Sequence, residues 1–409
     1  MVMTIRYWKT RASNEMSAEP ERLVWSALTR FIVVALFFDA LAPLFPQISA
    51  SYGISADQFQ SILGASCIAF AMSQLASVHA IKILGLFRTA AMSCLYLGIA
   101  SALICIFEDP SLFAICFVSM FVVNGIGSNA TRVALREATT DDGYRRLFGW
   151  ASGAVQIKQI FMPLLAGNLA VTYGWRSALL VLAAPVILAG IFIEFSTLNR
   201  AKKQDTELQS KSIFSKWAAV IVMPSFLRPA LTASAFQIAF GPLTAQLPFL
   251  LSERSGFASI SIGLTLSAAS AAIALGFFIS AHLSDKISSA SMIMIGLIIM
   301  IFGTICVIIG NFYNIMAVIV GIIIIQSSIG FVMTACSGDA LSASDTYRTT
   351  ASALFGFLQP TVGGLAVIVA GNWTSSGVVV IITLCAISIF SIILVRYLIG
   401  NAKNLELKQ

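Results

Sequence analysis

Asp39 and Lys158 are ionisable side chains set inside otherwise apolar stretches of the chain. A charge left unpaired at the centre of a lipid bilayer costs at least about 2.5 to 3.5 kcal/mol on insertion scales. Each therefore needs a partner, water or neutralisation. At about 1.5 Å per helical residue, Asp39 lies about 22 Å along the first apolar stretch and Lys158 about 15 Å along the fifth, a difference one lysine side chain spans. The chemistry open to such a pair is proton exchange. Ionised Asp39 pairs with Lys158 or another cation, and protonated Asp39 releases it. A permanent ion pair that fixes helix packing, or a lysine that extends to the surface, uses the same residues. Neutral polar side chains also interrupt the apolar runs: Gln60, Gln74, Asn124, Asn129, Gln156, Gln237, Gln246, Gln326 and Gln359. Hydrogen bonds between helices, about 0.6 kcal/mol each on average, account for some of them.

The elements that must position these residues are membrane-spanning helices. A bilayer core of about 30 Å takes about 20 apolar residues in helical form. Such stretches fall near 24–47, 59–81, 84–106, 111–135, 148–172, 176–197, 228–250, 258–282, 290–310, 313–336, 350–371 and 376–398. Hydrophobic residues make up 58% of the 409 and charged residues only 11%, with a mean hydropathy of +0.90. A water-soluble core is excluded, since soluble domains carry about 25% charged residues. The net charge of +7 is explained by placement. With both termini inside, nearly all Lys and Arg fall at the inner face; Arg176 and Arg254 lie in outer loops and Lys158 within a helix. The basic balance is thus a topological signature and not a nucleic-acid surface. The seven cysteines all fall within spans and read as packing residues. The first 22 residues are polar and charged, so insertion is expected to use the first helix itself. Trp25, Trp150 and Trp217 near the inner face, with Trp175 and Trp373 near the outer, read as interfacial anchors.

The longest inner polar stretch divides the spans six and six. The expected organisation is a cytoplasmic segment 1–23, a six-helix bundle 24–198, a linker 199–219, a second bundle 220–398 and a tail 399–409. Traces of duplication recur at an offset near 200 residues. His79 and His282, the only two histidines, follow the second and eighth spans; Pro163 and Gly167 in the fifth match Pro360 and Gly364 in the eleventh; Pro46 is mirrored by Pro248. Pro163 and Gly167, like Gly125 and Gly127, permit bending and close helix approach, as pivots or as simple packing residues. Arg132, Arg136, Arg145 and Arg146 flank Asp141 and Asp142 and read as a topology determinant with gating salt bridges. There is no Walker loop, metal cluster or catalytic triad, so neither an enzyme nor a cofactor is expected.

The chain resembles the major facilitator superfamily, and within it the drug:proton antiporter branch that includes bicyclomycin and chloramphenicol resistance transporters. The pattern Asp39-Ala-Leu-Ala-Pro43-Leu-Phe-Pro46 resembles the branch's first helix, Gln60 and Gln74-Leu75 its second, Gly174-Trp175-Arg176 the end of its fifth, and Thr350 to Gln359 the start of its eleventh. Two departures stand out. The signature between the second and third helices is eroded, leaving Gly85 and Arg88, and Phe121 stands where a fourth-helix arginine is expected. The second copy of the signature is better kept in Leu283-Ser284-Asp285-Lys286. The resemblance implies twelve transmembrane helices in two pseudo-symmetric six-helix bundles and a proton site at Asp39. It also implies a cavity bordered by the helices of Gln74, Asn124, Gln156 and Gln237; Lys158, a further departure at a usual glycine position, is read as facing that cavity with Asp39, and Phe240 and Phe355 as apolar contacts. Gating would fall to Asp285, Lys286, Pro163 and Gly167.

The reading is a secondary active transporter of a bacterial inner membrane, a monomer with both termini cytoplasmic. It would export a small amphipathic molecule, a drug or a metabolite such as a siderophore, against inward proton flow by alternating access. The lost motifs and the added Lys158 tilt the substrate toward one bearing carboxylates. Its partners would be that small molecule, protons and lipid. A proton-coupled nutrient importer and a transporter-like sensor without flux are the alternatives.

Overall fold

A computed structural model describes residues 18–137, 141–197, 213–283, 286–341, 343, 348–373 and 377–406. Every regular element among them is helical, as lipid demands: backbone groups with no water to bond must be satisfied within the segment. The first span is carried by helices Ala18–Asp39 and Phe45–Tyr52, joined by a 3-10 turn Ala42–Leu44. Spans two to four are Ala56–Leu84, Leu86–Ile106 and Pro110–Glu137. Spans five and six share the stretch Asp141–Thr197, which turns back at Gly174. A short helix Ile213–Ile221 precedes the seventh span, Pro224–Ser255. Spans eight to twelve are Ser259–Leu283, Ser289–Tyr313, Ile315–Leu341, Arg348–Gly371 and Gly377–Glu406.

Twelve crossings result. Among the described residues, Pro224–Ser255 is absent from the stretches apolar enough to cross on composition alone. It can carry polar residues because it faces the protein interior, packing on the tenth, eleventh and twelfth spans; the second span packs on the fourth and eleventh. The lipid-facing surface lies elsewhere. Large exposed apolar side chains crowd the third, sixth, ninth and twelfth spans, among them Ile99, Leu188, Phe302 and Phe390, whereas the seventh span contributes none.

Two apolar cores divide the molecule. One is built mainly from spans one to six, Phe37, Phe59 and Leu97 among them, and also takes in Ala245, Phe249 and Val367 of the seventh and eleventh; the other joins spans seven to twelve and includes Phe226, Leu247 and Ile322. Ala42, on the 3-10 turn, packs against both. The single first helix expected over 24–47 is in fact broken after Asp39. Pro43 and Pro46 lack the N–H that an uninterrupted helix needs, and the chain passes through a tighter turn before resuming.

Two cations expected at the inner face are inside the protein. Arg30 is only 1% exposed. Its Nε donates to Ser93 Oγ at 2.9 Å and its Nη2 to the Asn124 carbonyl and Oδ1 at 3.3 and 3.4 Å. Room for it comes from Gly127, where any Cβ would collide with the guanidinium. Arg132 is the second. Trp175 is likewise no interfacial anchor: it is buried, lies 6.1 Å from the Tyr52 ring and carries the Arg176 guanidinium 4.6 Å over its face.

Gly174 holds φ at +79° with open space around its Cα. With ψ at 158° this is a backbone conformation open essentially to glycine alone, so replacing it by alanine should destabilise the protein by about 1 to 3 kcal/mol. Gly338→Ala, in a helix and equally free of neighbours, should be neutral or stabilising because alanine is the better helix former. Thermal denaturation of the purified variants should rank them in that order around the native protein.

Candidate functional site

Between the two cores lies a cavity of about 640 Å³. Its wall is built where helices cannot be uniformly apolar or continuous. The broken first span supplies Phe38, Asp39, Ala42 and Phe45; the second, Phe70 and Gln74; the fourth, Phe121 and Arg132; the fifth, Pro163. The seventh span supplies Gln237, Phe240 and Thr244, the eighth Ser270, the tenth Gln326, and the eleventh Gln359, Pro360 and Gly363. Asp39 thus sits at a helix end that opens into a cavity, the setting in which membrane proteins tolerate interrupted backbone.

One end of the cavity, opposite the chain termini, is shut by backbone contact between the halves. A Cβ on Gly64 would lie 2.5 Å from the Gly364 carbonyl oxygen, and one on Gly364 2.6 Å from that of Gly64. The second and eleventh spans therefore touch main chain to main chain. The fifth and eighth do the same: a Cβ on Gly167 would overlap the Ser259 carbonyl, and one on Gly263 that of Pro163. These crossings are counterparts under the internal repeat. Gly167 pairs with Gly364, and Gly64 with Gly263, at an offset of about 200 residues. Polar and aromatic contacts reinforce the closure. Gln47 Nε2 donates to Ser259 Oγ at 2.7 Å, Asn372 Nδ2 to Ser61 Oγ at 3.1 Å, and the Phe59 and Phe249 rings lie 5.4 Å apart.

The cavity wall extends from there toward the termini. The guanidinium of Arg132 lies there, its Nη2 donating to Gln74 Oε1 at 2.8 Å and its Nε to the Ser128 carbonyl at 3.4 Å. Facing it across the gap is Gly356, whose Cβ position is 3.8 Å from Arg132 Nη1. The depth of the cavity follows from the fourth span. The Phe121 ring meets that of Phe38, next to Asp39, at 5.0 Å, and Arg132 stands eleven residues further on, about 16 Å along the helix at about 1.5 Å per residue. The carboxylate lies at the shut end and the guanidinium near the other.

Of the residues singled out from sequence, Asp39, Gln74, Gln237, Phe240 and Pro163 come together on this wall, and Gly167 lies at the crossing just beyond. Asn124 is used differently, as the acceptor for buried Arg30. Lys158 and Gln156 lie in the helical stretch Asp141–Thr197, which packs on the first span, but their side chains fall outside the described residues. So does Asp285. Lys286 is exposed, with its Nζ 3.0 Å from His282 Nε2, and Phe355 is buried in the second core. Sequence reasoning missed Arg132, read as a loop charge, and the facing rings of Phe38 and Phe121. The position of Arg132 inside the expected span 111–135 was the signal available.

The family model of the Major Facilitator Superfamily matches residues 29–371. Among solved structures, a bacterial homolog to the human lysosomal transporter Spinster, in an inward-facing and unoccupied conformation, is similar at 14% identity, with 95% of this chain and 96% of that one covered and a TM-score of 0.71. The POT family transporter PepTSo is similar at 12% identity, with 94% and 98% covered and a TM-score of 0.74. No curated protein sequence matches.

If backbone contact is what shuts this end, Gly64→Leu cannot keep it shut. In a variant lacking the native cysteines, a cysteine at Ser61 should then react several-fold faster with a membrane-impermeant maleimide, while Gly338→Leu leaves its rate unchanged. Equal rates in the two variants would mean that the seal lies elsewhere.

Proposed function

Because this chain belongs to the major facilitator superfamily and is a secondary transporter, we propose that it exports a small amphipathic organic molecule in exchange for protons. Asp39 is the proton site. The observation that carries the reading is the position of Asp39: the only acidic side chain on the described cavity wall, at a helix break, beside Phe38, Phe45 and Phe121. A carboxylate among such rings is costly when ionised and unpaired. Its protonation state therefore changes which arrangement of the halves is favoured, as an ion-coupled carrier requires. Ionised, it pairs with Lys158 or with a cationic group of the substrate; protonated, it releases that partner.

The protein is assigned to the cytoplasmic membrane of a bacterium as a monomer, and both termini to the cytoplasm, the last because Lys and Arg concentrate in the loops on the termini side. The shut end then faces outward, and the structure is the state that loads substrate from inside. The first-helix pattern from Asp39 to Pro46 supports the drug:proton antiporter branch. The gate on the termini side is assigned to Asp285 and Lys286, the pivot to Pro163 and Gly167, and the substrate contacts to Lys158, Gln74, Gln156, Gln237 and Phe240. Asn124 contributes through Arg30.

Everted, acid-loaded membrane vesicles test this. On addition of a pooled library of drugs, siderophores and carboxylates, native protein should release protons, and Asp39→Asn, inserted in equal amount, should abolish the release. Failure of native protein to respond would exclude proton-driven export of these classes. Equal responses from both proteins would remove Asp39 from the proton path.

A further inference from the structure

The two halves furnish the cavity with different chemistry. From the first half come the rings of Phe38, Phe70 and Phe121 and two charged side chains, Asp39 and Arg132; from the second come uncharged amides and hydroxyls, Gln237, Gln326 and Gln359 among them. Arg132 is held in place: Gln74 Oε1 accepts from its Nη2 at 2.8 Å, and the Ser128 carbonyl takes its Nε. An arginine so fixed presents a rigid fork of donors, the geometry that matches a carboxylate. Gln326 gives a second, independent sign. It is 3% exposed, it belongs to the cavity wall, and its Nε2 is buried with no hydrogen-bond partner. Buried amide donors are normally satisfied, so this one is suited to an acceptor oxygen that arrives with a ligand.

We propose that the transported molecule is an aromatic organic anion, its ring system lying on Phe38, Phe70 and Phe121, its carboxylate taken by Arg132, and a further oxygen accepting from Gln326. This rests on the transporter reading above and names the substrate class for that same cavity. The placement of the charges argues against a cation. Arg132 is nearer the termini end, through which a molecule enters on the inward-loading reading above, and Asp39 is about 16 Å deeper; a cation would have to pass the like charge first, while an anion is drawn toward it. The energetics of exchange agree. An organic anion leaving while a proton enters carries two positive equivalents inward, so an inside-negative membrane potential drives both halves of the exchange.

The test is equilibrium binding to the purified full-length protein of three probes with one ring system: 1-naphthylacetate, its neutral amide, and 1-naphthylmethylammonium. The anion should bind about tenfold more tightly than either of the others, the step expected from charge-assisted hydrogen bonds. Arg132→Gln should erase that preference while changing amide binding less than about twofold, Arg132→Lys should restore part of it, and Gln326→Leu should weaken anion and amide alike. Should Arg132→Gln fail to fold, Gln74→Leu, which removes one of the anchors that orient the guanidinium, should reduce the preference in a folded protein. The proposal is overturned if the ammonium binds best, if the three probes bind alike or not at all, or if the preference survives loss of Arg132 or of Gln74. Proton release in vesicles that depends on Asp39, together with any of those results, would leave the exporter reading standing and remove only the substrate class.

Discussion

The four glycine contacts at one end of the molecule are the constraint on which the rest depends. In lipid no hydrophobic force pulls two helices together, because acyl chains are as apolar as leucine, so helices associate where small residues allow close packing and backbone contact. Gly64, Gly364, Gly167 and Gly263 supply that approach between the halves, twice, at symmetry-equivalent places. Both contacts lie at the same end, and the cavity lies between the halves beside them.

Given that geometry, polar residues have few places to go. Arg30 is buried among the first, third and fourth spans, where Ser93 and Asn124 answer its donors; truncating such a side chain leaves those acceptors unmet in a medium without water. Arg132 and Asp39 reach the cavity instead. The first half is thereby stiffened by fixed charges and a stack of phenylalanine rings from Phe113 through Phe117 to Phe121, and the second meets the cavity with glutamines, glycines and Pro360.

The architecture was legible because its cause is local in sequence: runs of about 20 apolar residues can only be spans. The proline–glycine repeat in the fifth and eleventh spans was legible too, and its two glycines lie at equivalent crossings. What composition hides is direction around a helix. Arg132 stands near the end of the fourth span, and span membership alone does not say that its side chain reaches the cavity wall. Asn124 was misplaced for a related reason. Its partner, Arg30, is 94 residues away, and nothing in the local sequence announces a buried guanidinium. The break after Asp39 was written in Pro43 and Pro46, but a span boundary drawn by hydropathy passes over it.

That break has a consequence for coupling. The 3-10 turn that follows Asp39 packs against the fifth, seventh and eighth spans, and the fifth and eighth are one of the two pairs whose contact shuts the cavity. If Asp39 is the proton site proposed above, a change of its charge would act on a short segment, free of the rigidity of a continuous helix, that already touches the closure. In a carrier driven by protons, this removes the need for a signal to travel far. The carboxylate, the turn and the Gly167–Ser259 crossing lie in direct succession, and the energy of desolvating one carboxylate, a few kcal/mol, is of the size that moves a two-state equilibrium from one arrangement to the other.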